Sequence, residues 1–195
     1  METSFSEDFF TVLEFSRNEA LRTGWHNISP DHIMLAVLRH KENPACYALE
    51  RCGVCTDEFK ASLDDALFVD EQIPWSERES INFCESALSM LRHASVEAMR
   101  CHAGMLDSFH FLLAVCRIEG SCSHDYLKAH GIQLRTLVES TGLKWENYGL
   151  LQPALPDSGL QETPEKLSDS TRLSTLASAF EERLRSGYTP DDIAS

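Results

Sequence analysis

The sequence predicts an all-α fold of two four-helix repeats related by a pseudo-twofold axis, followed by a C-terminal linker and a further helix. The main observation is an internal duplication: residues 28–39 reappear in similar form as residues 106–117, with His32 and His110 78 positions apart. The same spacing relates Phe5 to Phe83, Leu13 to Leu91, Glu19 to Glu97, Leu49 to Leu127 and Gly53 to Gly131. Helical spacing of apolar residues and capping residues at predicted helix ends are the other two observations.

The duplication and the change in composition after it define the predicted domain organisation. We expect a double-repeat domain at 1–142, a flexible linker containing proline and serine at 143–167, and an amphipathic helix with a tail at 168–195. Repeat one covers 4–67 and repeat two covers 78–141. Because the connector between them is short, the repeats are expected to pack together as one domain.

Repeat one opens with a long amphipathic helix. Its apolar stripe consists of Phe5, Phe9, Val12, Leu13, Ser16 and Ala20, and Gly24 is its predicted C-terminal cap. Ser29, Pro30 and Asp31 are typical of a helix start, since they supply an N-cap, a first-turn proline and an acid. The helix that follows is apolar nearly all round at 33–38, so we expect it to be the buried centre of its repeat.

The remaining helices follow from cap and proline positions. Pro44 starts a third helix, and Thr56 is predicted to cap a fourth that runs to about Leu67. In repeat two the long helix has the stripe Phe83, Ala87, Met90, Leu91, Ala94 and Ala98. Asp107 caps the equivalent central helix. Two shorter helices are predicted at 125–130 and 133–140.

The composition fits a globular protein with an acidic surface. Hydrophobic residues make up 43% and charged residues 25%, and the formal net charge is -14. No basic stripe is present to neutralise phosphates, so we expect no nucleic-acid partner and favour basic segments of partner proteins. We see no signal peptide and no apolar run that resembles a membrane span. These two observations and the odd number of cysteines, seven, predict a cytoplasmic protein with free thiols.

Two groups of cysteine and histidine raise the alternative of a metal or redox sensor. The first group is Cys46, Cys52 and Cys55, and the second is Cys116, Cys122 and His124. Neither has the paired ligand spacing that is typical of zinc sites. We therefore expect the cysteines to be small buried side chains, with no bound metal or other cofactor.

The duplicated pattern resembles the Clp N-terminal domain, the double-repeat module that precedes the ATPase rings of Clp/Hsp100 unfoldases. The resemblance covers about residues 4–141. It is closest at Phe5-Ser6-Glu7, Glu19-Ala20-Leu21-Arg22 and Asp31-His32-Ile33. It implies a non-catalytic domain that binds substrates or adaptors for such a machine. The sequence contains no GxxxxGK[ST] phosphate-binding loop, so we expect no ATP hydrolysis by that route.

In the ClpC branch of this family, the domain can bind phosphorylated arginine. It uses a hydroxyl near the start of the first helix and an acid just before the repeat's histidine. The resemblance places Ser6 and Asp31 at these positions, next to His32. A hydroxyl and helix amides can bind phosphate, while the acid pairs with guanidinium. Repeat two has Cys84 and Phe109 there, so a second pocket of this kind is not expected.

The two equivalent histidines, His32 and His110, lie in the first turn of their helices. We expect their ring nitrogens to satisfy neighbouring backbone groups, with a role in binding as the alternative. The sequence shows no Ser/His/Asp or Cys/His order that would nominate a nucleophile, so no catalytic residue is expected.

The predicted C-terminal helix is amphipathic. Its apolar stripe includes Leu173, Leu176, Phe180 and Leu184. The helix is expected either to pack back on the domain or to dock in a groove on a partner, such as the ring of an unfoldase.

Together these features predict a stand-alone recognition module for substrates or adaptors of a Clp/Hsp100 unfoldase or protease. One alternative is that the chain is an N-terminal fragment, or a stably bound regulatory subunit, of a Clp ATPase. The other is the cysteine and histidine sensor.

Overall fold

The computed structural model describes residues 4–70 and 73–149, and these contain eight α-helices, four in each repeat. In repeat one the helices are α1 Glu7–Thr23, α2 Pro30–Arg39, α3 Pro44–Arg51 and α4 Thr56–Leu67. In repeat two they are α5 Glu85–Arg100, α6 Ser108–Arg117, α7 Cys122–Ala129 and α8 Leu134–Ser140. The predicted all-α class is confirmed. The predicted tail helix with Leu173, Leu176, Phe180 and Leu184 lies outside the described residues.

Four two-residue strands that the sequence does not predict accompany the helices in the described residues. They are β1 Ser4–Phe5, β2 Asn27–Ile28, β3 Asn82–Phe83 and β4 Met105–Leu106. β1 pairs in parallel with β4, and β2 with β3, so each pair joins one repeat to the other. Phe5 and Phe83 therefore lie before the long helices and not within them as predicted, because Ser6 and Cys84 are the N-caps.

The bonds between the repeats follow the predicted pseudo-twofold relation. The amide of Ser6 donates to the carbonyl of Leu106 at 2.9 Å, and the amide of Cys84 donates to that of Ile28 at 3.0 Å. A shift of 78 positions exchanges the two repeats and turns one of these bonds into the other. The start of each long helix therefore lies against the start of the other repeat's central helix.

The central helices form the core, as the sequence predicts. Every residue of α2 from Pro30 to Leu38 is buried, as is every residue of α6 from Ser108 to Val115. α1 packs on α2, α5 packs on α6, and α2 and α6 contact each other. The rings of Phe9 and Phe111, with centroids 5.9 Å apart, add a contact between the repeats.

Several predicted helix ends need correction. Cys55 is the N-cap of α4, and Thr56 is its first residue. α7 begins earlier than predicted, because the Ser121 hydroxyl accepts from the amide of His124 at 3.1 Å and caps the helix.

The predicted linker begins with ordered structure, and the connector between the repeats ends with it. The first residues of the linker form a 3-10 helix, Trp145–Asn147, and the amide of Gly149 donates to the carbonyl of Arg100 at 3.2 Å. A second 3-10 helix, Trp75–Ser80, covers the last residues of the connector and the first residues of repeat two.

A buried glutamate ties the long helix of each repeat to its central helix. Glu19 is only 1% exposed, and its carboxylate accepts from Arg22 at 2.8 Å and from Arg39 at 2.6 Å. Glu97, equally buried, has the equivalent partners Arg100 and Arg117, both at 2.7 Å, and also accepts from the hydroxyl of Tyr148. Because burial of a lone carboxylate is costly, the paired arginines are required for this arrangement.

Candidate functional site: an acidic pocket shared by the two repeats

A small pocket lies where the start of α1 meets the start of α6. It encloses about 110 Å³. Repeat one contributes Ser6, Asp8, Phe9, Val12, Asn43 and Pro44 to its lining, and repeat two contributes Asp107 and Ser108. The pocket is therefore composite, and neither repeat forms it alone.

Ser6 holds one side of the pocket as the N-cap of α1. Its hydroxyl accepts from the amide of Phe9 at 3.2 Å, while its own amide is bonded to Leu106 of repeat two. Opposite it, Ser108 donates through its hydroxyl to Oδ1 of Asn43 at 3.0 Å. These bonds fix the distance between the two helix starts and preorganise the walls.

The charge of the pocket is negative. Asp8 and Asp107 contribute carboxylates, and none of the described lining residues is a lysine or an arginine. Oδ1 of Asp107 accepts from the amides of Phe109 at 2.9 Å and His110 at 3.2 Å. Burial alone would raise the pKa of Asp107, but the hydrogen bonds from the amides of His110 and Phe109 outweigh burial and lower it. Asp107 is therefore a carboxylate at neutral pH, and the pocket favours a cation.

Asp31 is not part of this pocket, contrary to the predicted grouping with Ser6. Its buried carboxylate accepts from the amides of Cys122 at 3.1 Å and Ser123 at 2.8 Å, and from the Ser123 hydroxyl at 2.5 Å. It thus caps α7 of the other repeat. The pseudo-twofold arrangement explains the separation, because Ser6 faces the second repeat's central helix and not its own.

His32 is fully buried and also lies outside the lining. Nδ1 accepts from the amide of Ser29 at 2.9 Å, and Nε2 lies 3.0 Å from Oγ1 of Thr23. A neutral ring with its proton on Nε2 satisfies both contacts. In repeat two, Nδ1 of His110 accepts from the amide of Asp107 at 3.2 Å. Both rings therefore bond the backbone, as the structural interpretation of the histidines expects.

We expect His32 to make stability fall by about 2 kcal/mol between pH 7.5 and pH 5. Burial, the main cause, and the nearby charge of Arg22 lower its pKa to about 4, against 6.5 for the ordinary imidazole. As the pH falls, the unfolded chain takes up the proton before the folded one. The contribution of neutral His32 to the free energy of unfolding is therefore complete above pH 6.5 and is lost as the pH falls towards 4. Urea unfolding at several pH values measures it.

The variant His32→Gln is the control for this prediction. Glutamine at the same position can accept from the Ser29 amide but does not titrate. We expect its stability to depend less steeply on pH in this range than that of the unsubstituted protein. Equal slopes for the two proteins would contradict the assignment of the effect to His32.

The seven cysteines are free thiols in the structure, but only Cys46 is buried as expected, while Cys55 and Cys122 are exposed and the other four are half-buried. Burial raises the pKa of Cys46 to about 11, of Cys116 to about 11 and of Cys101 to about 12, which disfavours the reactive thiolate. Over residues 4–70 and 73–149, no group of three histidine, cysteine or acidic side chains is placed to hold a metal ion. No helix in that part of the chain is long and apolar enough to cross a bilayer.

Sequence reasoning missed the contributions of Asp107 and Asn43 to the pocket. The sequence predicts Asp107 only as a helix cap, and it shows Asn43 only as the residue before the predicted start of α3 at Pro44. Polar caps at helix starts were the available signal. Which two starts meet could not be inferred from either repeat alone.

Comparisons with known proteins find two curated Clp proteins that are similar to this chain. The chaperone ClpB of Oceanobacillus iheyensis is 27% identical over 113 residues, and the competence regulator ClpC/MecB of Bacillus subtilis is 25% identical over 113 residues. Each match covers 58% of this chain but spans only 14% of the relative's length.

Solved Clp N-domains share the fold. The ClpV N-domain of Vibrio cholerae matches with a TM-score of 0.60 at 16% identity, over 73% of this chain and 88% of that one. A ClpV N-domain in complex with a VipB peptide gives 0.59 at 14% identity, over 74% and 89%. The N-terminal domain of ClpD from Arabidopsis thaliana gives 0.53 at 17% identity, over 70% and 93%.

The family model of the Clp repeat N-terminal domain matches residues 4–130, which include all of repeat one and most of repeat two. The duplicated helices and the strands that join the repeats agree with this match. The chain belongs to the Clp repeat N-terminal domain family.

Proposed function

We propose that this chain is a non-catalytic recognition module that binds substrate or adaptor proteins for a Clp/Hsp100 ATP-dependent unfoldase or protease in the cytoplasm. The observation that carries the proposal is the acidic pocket between the repeats. Its hydrogen-bonded walls and apolar lining residues Phe9 and Val12 suit a protruding side chain of a partner protein.

The charge of the pocket favours an arginine or lysine side chain. Asp8 and Asp107 can both attract a guanidinium or ammonium group, and the net charge of -14 attracts basic segments at longer range. A phosphorylated arginine would bring its phosphate towards two carboxylates. In our proposal the unmodified side chain is therefore the preferred ligand, with Ser6 as the polar wall, while Asp31 and His32 support the fold.

The comparisons support recognition of a peptide. A ClpV N-domain of the same fold has been solved with a VipB peptide, and the curated relatives are a chaperone and a regulator of competence. These relatives are much longer than the matched segment, so the machine that this chain serves is part of the proposal.

A pair of peptides tests the pocket. We expect a fluorescent peptide with one arginine to bind the full-length protein more tightly than the same peptide with alanine. Asp107→Asn should weaken arginine binding about fivefold to tenfold, because it removes one of the two carboxylates but keeps an oxygen for capping. Fluorescence anisotropy at low salt measures both affinities.

Asp125→Asn is the matched control, since it removes the same charge from an exposed position in the first turn of α7, outside the pocket. Its affinity should stay within about twofold of the unsubstituted protein. A third peptide carries phosphoarginine at the same place. If that peptide binds more tightly than the arginine peptide, the preference for an unmodified cation is wrong.

The wider assignment is tested by co-purification of the full chain with a Clp/Hsp100 ATPase. We propose that the apolar stripe Leu173, Leu176, Phe180 and Leu184 docks on that partner. Association that survives removal of residues 150–195 would contradict this docking role, and a lack of association with the full chain would contradict the proposed machine.

A further inference from the structure

Four large apolar side chains are exposed around the end of α1 and the connector. They are Trp25, Phe68, Val69 and Trp75, with exposed fractions of 43%, 62%, 40% and 67%, and we call them the aromatic patch. Trp25 lies in the turn after α1, Phe68 and Val69 follow α4, and Trp75 opens the 3-10 helix of the connector.

Hydrogen bonds bring these segments together. The amide of Val69 donates to the carbonyl of Thr23 at 2.9 Å, and Nε1 of Trp25 donates to the carbonyl of Leu67 at 2.6 Å. On the connector side, Nδ1 of His26 lies 4.0 Å from the carboxylate of Glu77. Val69, just after α4, and the 3-10 helix Trp75–Ser80 therefore both border the turn that holds Trp25.

Repeat two shows that the fold does not need a large side chain at the position of Trp25. The amide of Trp25 donates to the carbonyl of Ala20, and the amide of Ala103 donates to that of Ala98, both at 2.9 Å. The two turns are thus equivalent, and repeat two makes its turn with an alanine. The indole of Trp25 adds exposed apolar surface that this turn does not require.

The segments after the fourth helix of each repeat, α4 and α8, also differ in how much apolar surface they expose. In repeat one the amide of Val69 reaches the end of α1, and in repeat two the amide of Gly149 reaches the end of α5. The residue before Gly149, Tyr148, bonds Glu97 and Arg117 through its hydroxyl. Phe68, the residue before Val69, has no such polar group and is largely exposed. Repeat one thus presents apolar surface where repeat two makes a polar contact.

The border of the aromatic patch is mainly acidic. Asp65, Asp70 and Glu77 are exposed beside it in the chain. One cation also lies at the border, since the guanidinium of Arg78 is 5.5 Å from the centre of the Trp75 ring. An exposed apolar cluster bordered by acids is complementary to an apolar segment bordered by lysine or arginine.

We propose that the aromatic patch is a second docking site, which binds an amphipathic helix of a partner protein whose large apolar side chains are flanked by lysine or arginine. It is separate from the acidic pocket, because the pocket lies at the start of α1 and the patch lies beyond its end. The 17 residues of α1 span about 25 Å at 1.5 Å per residue. The patch therefore does not depend on the pocket's ligand preference.

The probe for this site is a fluorescent helical peptide of about 14 residues, built from leucine on one face and lysine on the other. We expect it to bind the full-length protein, and Phe68→Ser with Val69→Asn to weaken binding at least about tenfold. A counterpart with glutamate in place of lysine should bind at least about tenfold more weakly, because of the acidic border. Fluorescence anisotropy measures each affinity.

Two control variants make the test specific. Val96→Thr with Met99→Gln removes two exposed apolar side chains from α5 of repeat two, and Asp107→Asn alters the acidic pocket. Both should bind the leucine and lysine peptide within about twofold of the unsubstituted protein. Thermal unfolding by circular dichroism establishes that each variant is folded.

Two results would overturn the proposal. One is an equal affinity of the Phe68→Ser, Val69→Asn variant and the unsubstituted protein for the lysine peptide. The other is self-association in light scattering that this variant abolishes, which would assign the aromatic patch to a second copy of the chain. If Asp107→Asn loses binding of the arginine peptide but still binds the leucine and lysine peptide, the acidic pocket is affected and this inference stands. The two sites are therefore tested independently.

Discussion

Replacing both arginine partners of Glu19, by Arg22→Met and Arg39→Met, is expected to lower the free energy of unfolding by about 3 to 5 kcal/mol. The carboxylate of Glu19 is 1% exposed, and these arginines are its two cationic partners in the structure. Methionine retains most of the apolar stem, so the loss reports the missing charge and hydrogen bonds more than lost packing. Urea unfolding at pH 7.5 measures it.

Repeat two supplies an internal comparison. Arg100→Met with Arg117→Met removes the equivalent partners of Glu97, but the hydroxyl of Tyr148 still donates to that carboxylate. We expect the loss to be smaller there, by about 1 to 2 kcal/mol. A single change at the surface, Lys128→Met, whose ion pair with Glu119 is exposed, should cost less than about 1 kcal/mol. If Arg22→Met with Arg39→Met lowers the free energy of unfolding by less than about 1 kcal/mol, Glu19 does not depend on its arginines.

Asp31→Ala is the second large effect, with an expected loss of about 3 to 4 kcal/mol. The carboxylate of Asp31 accepts three hydrogen bonds at the start of α7, from the amide of Cys122 and from the amide and hydroxyl of Ser123. Alanine leaves these donors without their acceptor and loosens the contact between the repeats. Chemical unfolding combined with near-ultraviolet circular dichroism measures the stability and the packing.

Two variants make the result for Asp31 interpretable. Asp31→Asn keeps one acceptor oxygen, so we expect about half the loss. Asp57→Ala removes an exposed first-turn acid from α4, where the ion pair with Lys41 is at the surface, and should change stability by less than about 1 kcal/mol. If Asp31→Ala keeps full stability but abolishes binding of the arginine peptide, then Asp31 contacts the ligand and the pocket at Asp107 is misassigned.

The helices could be predicted from short stretches of sequence. Gly24 does end α1 in a left-handed conformation, with φ of 85°, and Ser29 with Pro30 does start α2. Asp107 caps α6 as expected. Such signals act within one helical turn, so they are visible without knowledge of the tertiary contacts. The start of α7 differs from the prediction because Ser121 caps the helix there.

The composition of the pocket could not be predicted in this way. The resemblance grouped Ser6 with Asp31 in the same repeat, whereas the structure groups Ser6 with Asp107 of the other repeat. The strand pairing of β1 with β4 decides this, and it joins parts of the chain about 100 residues apart. The two-residue strands themselves are too short to show an alternating pattern.

By itself, the sequence determined the duplication, the buried central helices and the resemblance to Clp N-terminal domains. It could do so because capping, helical periodicity and the spacing of repeats are local or directly countable. The tertiary structure alone decided that Asp31 caps a helix of the opposite repeat and that Asp107 completes the pocket. The physical reason is that the pseudo-twofold packing exchanges partners between repeats, so side chains that are close in sequence come to lie in different sites.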